Sequence, residues 1–171
     1  MIRGGPPLFI NGGFESGDFS NWGCGGEIIP RVVSNIVHSG LHSALLGNPE
    51  AAPCEAPTGQ TWLEREFIVP QASTGILSLW FRMFTYDINR TLADGIDHLD
   101  VLLNGRSVYR FANRTLPQRC DGLPHDLEWQ RVLVDLIPFQ GQTVRLMVKI
   151  ANTDQYYNSW AYIDDIRVTS P

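Results

Sequence analysis

From Ile76 to Phe84 the chain alternates with period two. Leu77, Leu79, Phe81 and Met83 fall on one face of an extended strand, and Ser78, Trp80, Arg82 and Phe84 on the other. The second face is itself partly apolar, so both sides of this strand are expected to be covered. The same period returns at Thr143–Ile150, where Val144, Leu146, Val148 and Ile150 alternate with Thr143, Arg145, Met147 and Lys149. Trp62 to Val69 reads as a strand stopped by Pro70, which cannot donate to a ladder. Leu99–Leu103 and Arg106–Phe111 flank Asn104-Gly105, a pair that tolerates positive φ and closes a two-residue hairpin. Trp129–Ile137 and Trp160–Val168 complete the set. No long 3.6-residue periodicity occurs, and Pro124–Glu128 has room only for one short turn of helix. The 16 Gly and 11 Pro supply turns at the rate that many short strands require. The expectation is an all-β chain, an antiparallel β-sandwich of about eight to ten strands. It is expected to be one domain over 1–171, with residues 1–9 free to serve as an N-terminal arm.

The net charge of −5 and the lack of a basic run argue against nucleic acid as a partner, since that affinity comes from Lys and Arg on phosphates. No apolar run approaches the roughly 20 residues of a membrane-spanning helix. The first residues lack a charged-then-apolar leader, so no signal peptide is expected in this chain. Removal of a leader, origin in a longer chain and another export route all remain open. Cys24, Cys54 and Cys120 match no zinc spacing. Cys54 and Cys120, both in loop-like Pro/Gly-rich surroundings, are the candidates for a disulfide. Asn89-Arg-Thr91 and Asn113-Arg-Thr115 match the glycosylation acceptor pattern.

Both ends of the chain carry motifs of a known kind. Asn11-Gly-Gly-Phe-Glu15-Ser-Gly comes early, with Trp22 just after it. His38-Ser-Gly-Leu-His-Ser-Ala44 follows, and Tyr162-Ile-Asp-Asp-Ile-Arg-Val168 closes the chain. With Val134-Asp-Leu before a Gly-x-Thr-Val-x-Leu segment, the chain resembles the galactose-binding-like jelly rolls, which include several families of carbohydrate-binding modules. The resemblance spans the whole chain and implies a β-sandwich of jelly-roll type. It also implies a structural Ca²⁺ between the first and last motifs. Glu15 and Asp164 would supply carboxylates, Gly13 and His42 backbone carbonyls, and Ser39 a further oxygen. Calcium takes six to eight hard oxygen ligands, which suits such a set. Independently of the resemblance, Asp164 shares strand parity with Tyr162, Ile166 and Val168. An aspartate on an inward face is costly unless paired or metal-bound.

Sugar binding by such modules rests on aromatic platforms stacked on pyranose rings. Trp80, Trp160, Trp22 and Trp129 are read as core. Tyr86, Tyr156, Tyr157 and Trp62, near loops or strand ends, are the candidate glycan contacts. Asp87, Asp94, Asp97 and Asp100 read as a solvated, turn-forming acidic loop, with a second calcium site as the lesser option. They offer no facing carboxylate partner for glycoside hydrolysis. The four histidines lack metal-ligand spacing, and no nucleophile elbow or phosphate loop appears. The chain is therefore not expected to be an enzyme. The expected function is a non-catalytic carbohydrate-binding module with a glycan or polysaccharide as partner. The alternative is a structural surface subunit of a virion, sheath or filament, which assembles with copies of itself. Either places it outside the cell or on a particle or cell surface.

Overall fold

The computed structural model describes residues 9–55, 58–71, 75–88, 97–153 and 155–169. The N-terminal arm up to residue 8, Asn89-Arg-Thr91 and Asp94 lie outside the described residues. Ten strands form among the described residues: β1 Gly23–Gly26, β2 Arg31–Val33, β3 Ser43–Leu46, β4 Gly59–Ile68, β5 Ile76–Thr85, β6 His98–Leu103, β7 Arg106–Phe111, β8 His125–Asp135, β9 Thr143–Asn152 and β10 Ser159–Thr169. They build two five-stranded antiparallel sheets, in the orders β1-β4-β9-β6-β7 and β2-β3-β10-β5-β8. The β-sandwich read from the alternation is thus present. β8 begins at His125, so the short helical turn anticipated at Pro124–Glu128 is replaced by strand. The one 3₁₀ turn among the described residues lies at Ile137–Phe139, around Pro138.

The core follows the period-two pattern. Leu77, Leu79, Phe81 and Met83 of β5 face Leu63, Val101, Leu103, Leu146 and Val148 of the opposite sheet, in one cluster that also takes in Phe14 and Trp22. The β6–β7 hairpin turns through Asn104 at φ 52° and Gly105 at φ 79°, and the Asn104 side chain accepts the N–H of Arg145 on neighbouring β9. Both central residues need positive φ, which accounts for the Asn-Gly sequence at this turn. A second, smaller cluster of Leu45, Tyr86, Trp160 and Tyr162 lies on the outward side of the second sheet, packed against Val33, Ile36, Phe84, Trp129 and Tyr157.

A bulge in β10 corrects the parity reading of the last strand. The pairing with β5 slips between Asp164 and Arg167, where Asp165 sits at φ 52°. Tyr162 and Asp164 therefore share the outward side, while Ile166 has been turned into the core beside Ile163. The expectation that Trp80 and Trp129 belong to the core is also corrected. Both are only half-buried on the outward side, where the His38 ring stacks on Trp80 at 4.0 Å and meets Trp129 edge-on at 5.3 Å. Alternation distinguishes two faces but not which one meets the other sheet. Trp22 and Trp160 are buried, as read.

Candidate functional site

The outward face of the first sheet holds a continuous row of side chains. Strand register aligns Gly25 of β1 with Trp62 of β4, Trp62 with Lys149 of β9, Lys149 with Asp100 of β6, and Asp100 with Arg110 of β7. Trp62 is half-buried, and its six-membered ring lies over Gly25. A Cβ on that glycine would come within 2.8 Å of Cζ2. The missing side chain on the edge strand is what lets the indole spread across it. Lys149 Nζ donates to Gln60 Oε1 at 3.1 Å. Asp100 is buried and accepts two bonds from Arg110, both 2.8 Å, one from Ser107 at 3.2 Å, and lies 3.3 Å from His98 Nε2. Burial works to raise the Asp100 pKa, but the bonds from His98 and Arg110 outweigh it and hold the carboxylate well below its ordinary range.

One row further along, Arg145 donates to Glu64 at 2.8 Å. This pair lines a cleft of about 580 Å³ with Asn21, Gly23, Arg65 and Glu66, where β1 stops and β4 runs on without an edge partner among the described residues. The Arg65 guanidinium lies over Phe9 and Trp22, 5.2 and 5.8 Å from the ring centroids, and donates to the Ile10 carbonyl.

The other aromatic candidates gather at one end of the sandwich. Tyr156 is 68% exposed and Tyr157 is half-buried beside Gln118. Tyr86 is only 7% exposed, so the expectation of an open ring there is corrected: it packs on Trp160 beneath the loops. A disulfide joins Cys54 to Cys120 across these loops, with Cα atoms 5.3 Å apart, and Cys24 is free and exposed. Asn113 is buried, and both ends of its amide are bound to loop backbone at 2.7–3.2 Å, so this triplet offers no acceptor for a glycan. The acidic loop is corrected as well. Asp87, Asp97 and Asp100 are buried and bonded, not solvated.

The first and last motifs do meet. Asp164 is fully buried. Its Oδ2 accepts N–H bonds from His38 at 2.8 Å and Ser39 at 3.1 Å, and its Oδ1 accepts that of Asp165 at 2.6 Å. A Cβ on Gly13 would lie 3.4 Å from Asp164 Oδ1 and 3.8 Å from Glu15 Oε1, so both carboxylates flank this glycine. Glu15 accepts the N–H groups of Leu41 and His42 at 3.0–3.2 Å. The Ser39 hydroxyl is turned away, donating to Asp165 at 2.9 Å. Burial raises the Asp164 pKa against the pull of its N–H donors, and no cationic side chain lies within 4 Å among the described residues. No group of three or more His, Cys, Asp or Glu side chains converges among the described residues, so a cation here would need carbonyl oxygens beside the two carboxylates.

Lys149, Arg110 and Gln60 were not singled out from the sequence, and Asp100 was read only as part of an acidic loop. Their signal was the outward parity of β4 and β9, which places Trp62, Lys149 and Arg145 on one side, but the neighbours of each strand were not readable from it.

No protein-family model matches this chain, and no curated protein does. Solved structures do. The carbohydrate-binding module TmCBM61, solved in complex with β-1,4-galactotriose, matches with a TM-score of 0.62 at 16% identity, over 98% of this chain and 100% of its own. The K3 cleaved adhesin domain of Lys-gingipain from Porphyromonas gingivalis W83 matches at 0.59 and 16% identity, over 94% and 98%. The enzymatically active domain of tailspike protein 4 from bacteriophage CBA120 matches at 0.50 and 10% identity, over 96% of this chain but 21% of that one. At these identities the likeness is one of fold. The chain has the β-sandwich of carbohydrate-binding modules, as its sequence resemblance implies.

Proposed function

We propose that this domain is a non-catalytic carbohydrate-binding module that takes a glycan across the outward face of the first sheet. The carrying observation is Trp62. Its indole spreads over Gly25 at the β1 edge of a face whose neighbouring groups, Gln60, Lys149 and the Asp100–Arg110 pair, are hydrogen-bonding side chains on rigid strands. A flat apolar ring ringed by polar groups suits a pyranose, which presents C–H bonds on its faces and hydroxyls at its rim. The fold likeness to a module solved with a galactotriose supports the same reading. In affinity electrophoresis against a polysaccharide panel, Trp62→Ala is expected to weaken binding about thirtyfold, the effect of losing about 2 kcal/mol at an aromatic anchor. Binding that survives Trp62→Ala but is lost in Tyr156→Ala would move the site to the loop end.

The reading includes a structural calcium, held by Glu15 and Asp164 with backbone oxygens of Gly13 and His42. What supports it is the fully buried Asp164 carboxylate, which faces Gly13 and Glu15 without a cationic partner among the described residues. The ion would supply that positive charge and tie the two ends of the chain together. Its expected effect at a hundredfold excess over the dissociation constant is about 2.7 kcal/mol. For a domain of this size that corresponds to a melting temperature about 5–10 °C higher than in chelator. Asp164→Asn should remove most of the calcium-dependent rise. Equal melting of the wild type in calcium and in chelator would rule the ion out. Calcium stabilisation without binding to any glycan would favour the surface building block over the binding module.

A further inference from the structure

The charges on the outward face of the first sheet are unevenly matched. Its carboxylates are largely held: Asp100 by Arg110, Ser107 and His98, and Glu64 by Arg145. Glu66 lies beyond Glu64, in the cleft. Lys149 has a different kind of partner. It stands between Trp62 and Asp100 in the row, half-buried, and its ammonium donates to the neutral oxygen of Gln60 at 3.1 Å. Among the described residues no carboxylate lies within 4 Å of it. The Asp100 charge beside it is already answered by Arg110. The centre of the face is therefore locally cationic, and the Lys149 backbone lies one strand spacing, about 4.8 Å, from that of Trp62.

We propose that the glycan taken on this face is a uronic-acid polysaccharide, with the ring of one residue on Trp62 and its carboxylate on Lys149. The inference rests on the binding-module reading above and names its substrate class. A uronate carries its carboxylate on C5, at the rim of the same ring that stacks. A uronate bound there thus answers both the indole of β4 and the ammonium of the next strand. A charge-assisted bond to a half-buried ammonium is stronger than one from a neutral sugar hydroxyl. The domain's net charge of −5 gives a polyanion no diffuse attraction. Preference for the acidic polymer therefore has to come from a local contact, and one lysine should control it.

The test uses isothermal titration calorimetry with oligomers of galacturonate, mannuronate and glucuronate, and with the same oligomers after carboxyl reduction to the neutral sugars. Wild type, Lys149→Gln, Lys149→Arg and Trp62→Ala are compared, with melting temperatures to confirm folding. The expected result is that one acidic oligomer binds at least tenfold tighter than its reduced form. Lys149→Gln abolishes that difference by weakening the acid far more than the reduced form, Lys149→Arg keeps part of it, and Trp62→Ala loses both. The proposal is overturned if the reduced form binds as well as the acid, if the difference survives Lys149→Gln, or if no uronate oligomer binds. In each of these cases, Trp62-dependent binding of a neutral glycan leaves the binding-module reading intact. The absence of any Trp62-dependent binding removes both.

Discussion

Replacing Cys54 and Cys120 together by serine is expected to lower the stability of this domain by about 4 kcal/mol. The bridge closes a loop of 66 residues, and releasing that constraint returns about this much conformational freedom to the unfolded chain. For a domain of this size the melting temperature should fall by roughly 8–16 °C. Cys24 is free, so the double substitution isolates one bridge. The cystine pins the segment 47–55 to the 112–124 loop, where the Asn158 N–H donates to the Pro53 carbonyl and the Arg119 N–H to that of Tyr86, each at 3.0 Å. The loop end should loosen first. Trp62 is held by ladders to β1 and β9, so glycan binding should persist below the new melting point. A scan in reducing buffer that matches the oxidised protein would refute the estimate, and loss of binding in the folded double mutant would place the site among the loops instead.

Gly12→Ala is expected to cost about 3 kcal/mol, at the upper end of what overpacking does. A Cβ there would lie 1.9 Å from the carbonyl oxygen of Ile166, and the Ile166 N–H donates to the Gly12 carbonyl at 2.8 Å. Neither backbone can easily yield. Ile166 is fixed by the β10 bulge, and the Gly12 segment leads directly into Phe14, fully buried in the core. Gly105→Ala is the control. It meets nothing within 4 Å and bears only the strain of a positive φ, about 1 kcal/mol. Urea unfolding of the two variants compares them directly. If Gly12→Ala costs no more than Gly105→Ala, the close approach of the two ends of the chain is not as described.

The sandwich was legible in local sequence patterns. Alternation grouped Leu77, Leu79, Phe81 and Met83 on one face of β5, and Val144, Leu146, Val148 and Ile150 on one face of β9, and Asn104-Gly105 located a hairpin whose positive φ values that pair tolerates. These are local signals, set by sterics within a few residues, and they survive folding unchanged. The sequence also marked Glu15 and Asp164, which sit in short recognisable stretches at the two ends of the chain, and Trp62, as an aromatic near a strand end. Which strands are neighbours and which face is covered came from long-range packing. The bulge at Asp165 separates Asp164 from Ile166 although they are two residues apart. Trp80 faces away from the core because both sides of β5 are apolar, and the sequence of that strand alone cannot rank them. The row Gly25–Trp62–Lys149–Asp100–Arg110 draws one residue from each of five strands, in an order unlike that of the chain. A binding face of this kind is written in the register between strands, and register is fixed by long-range pairing that no single segment of the sequence contains.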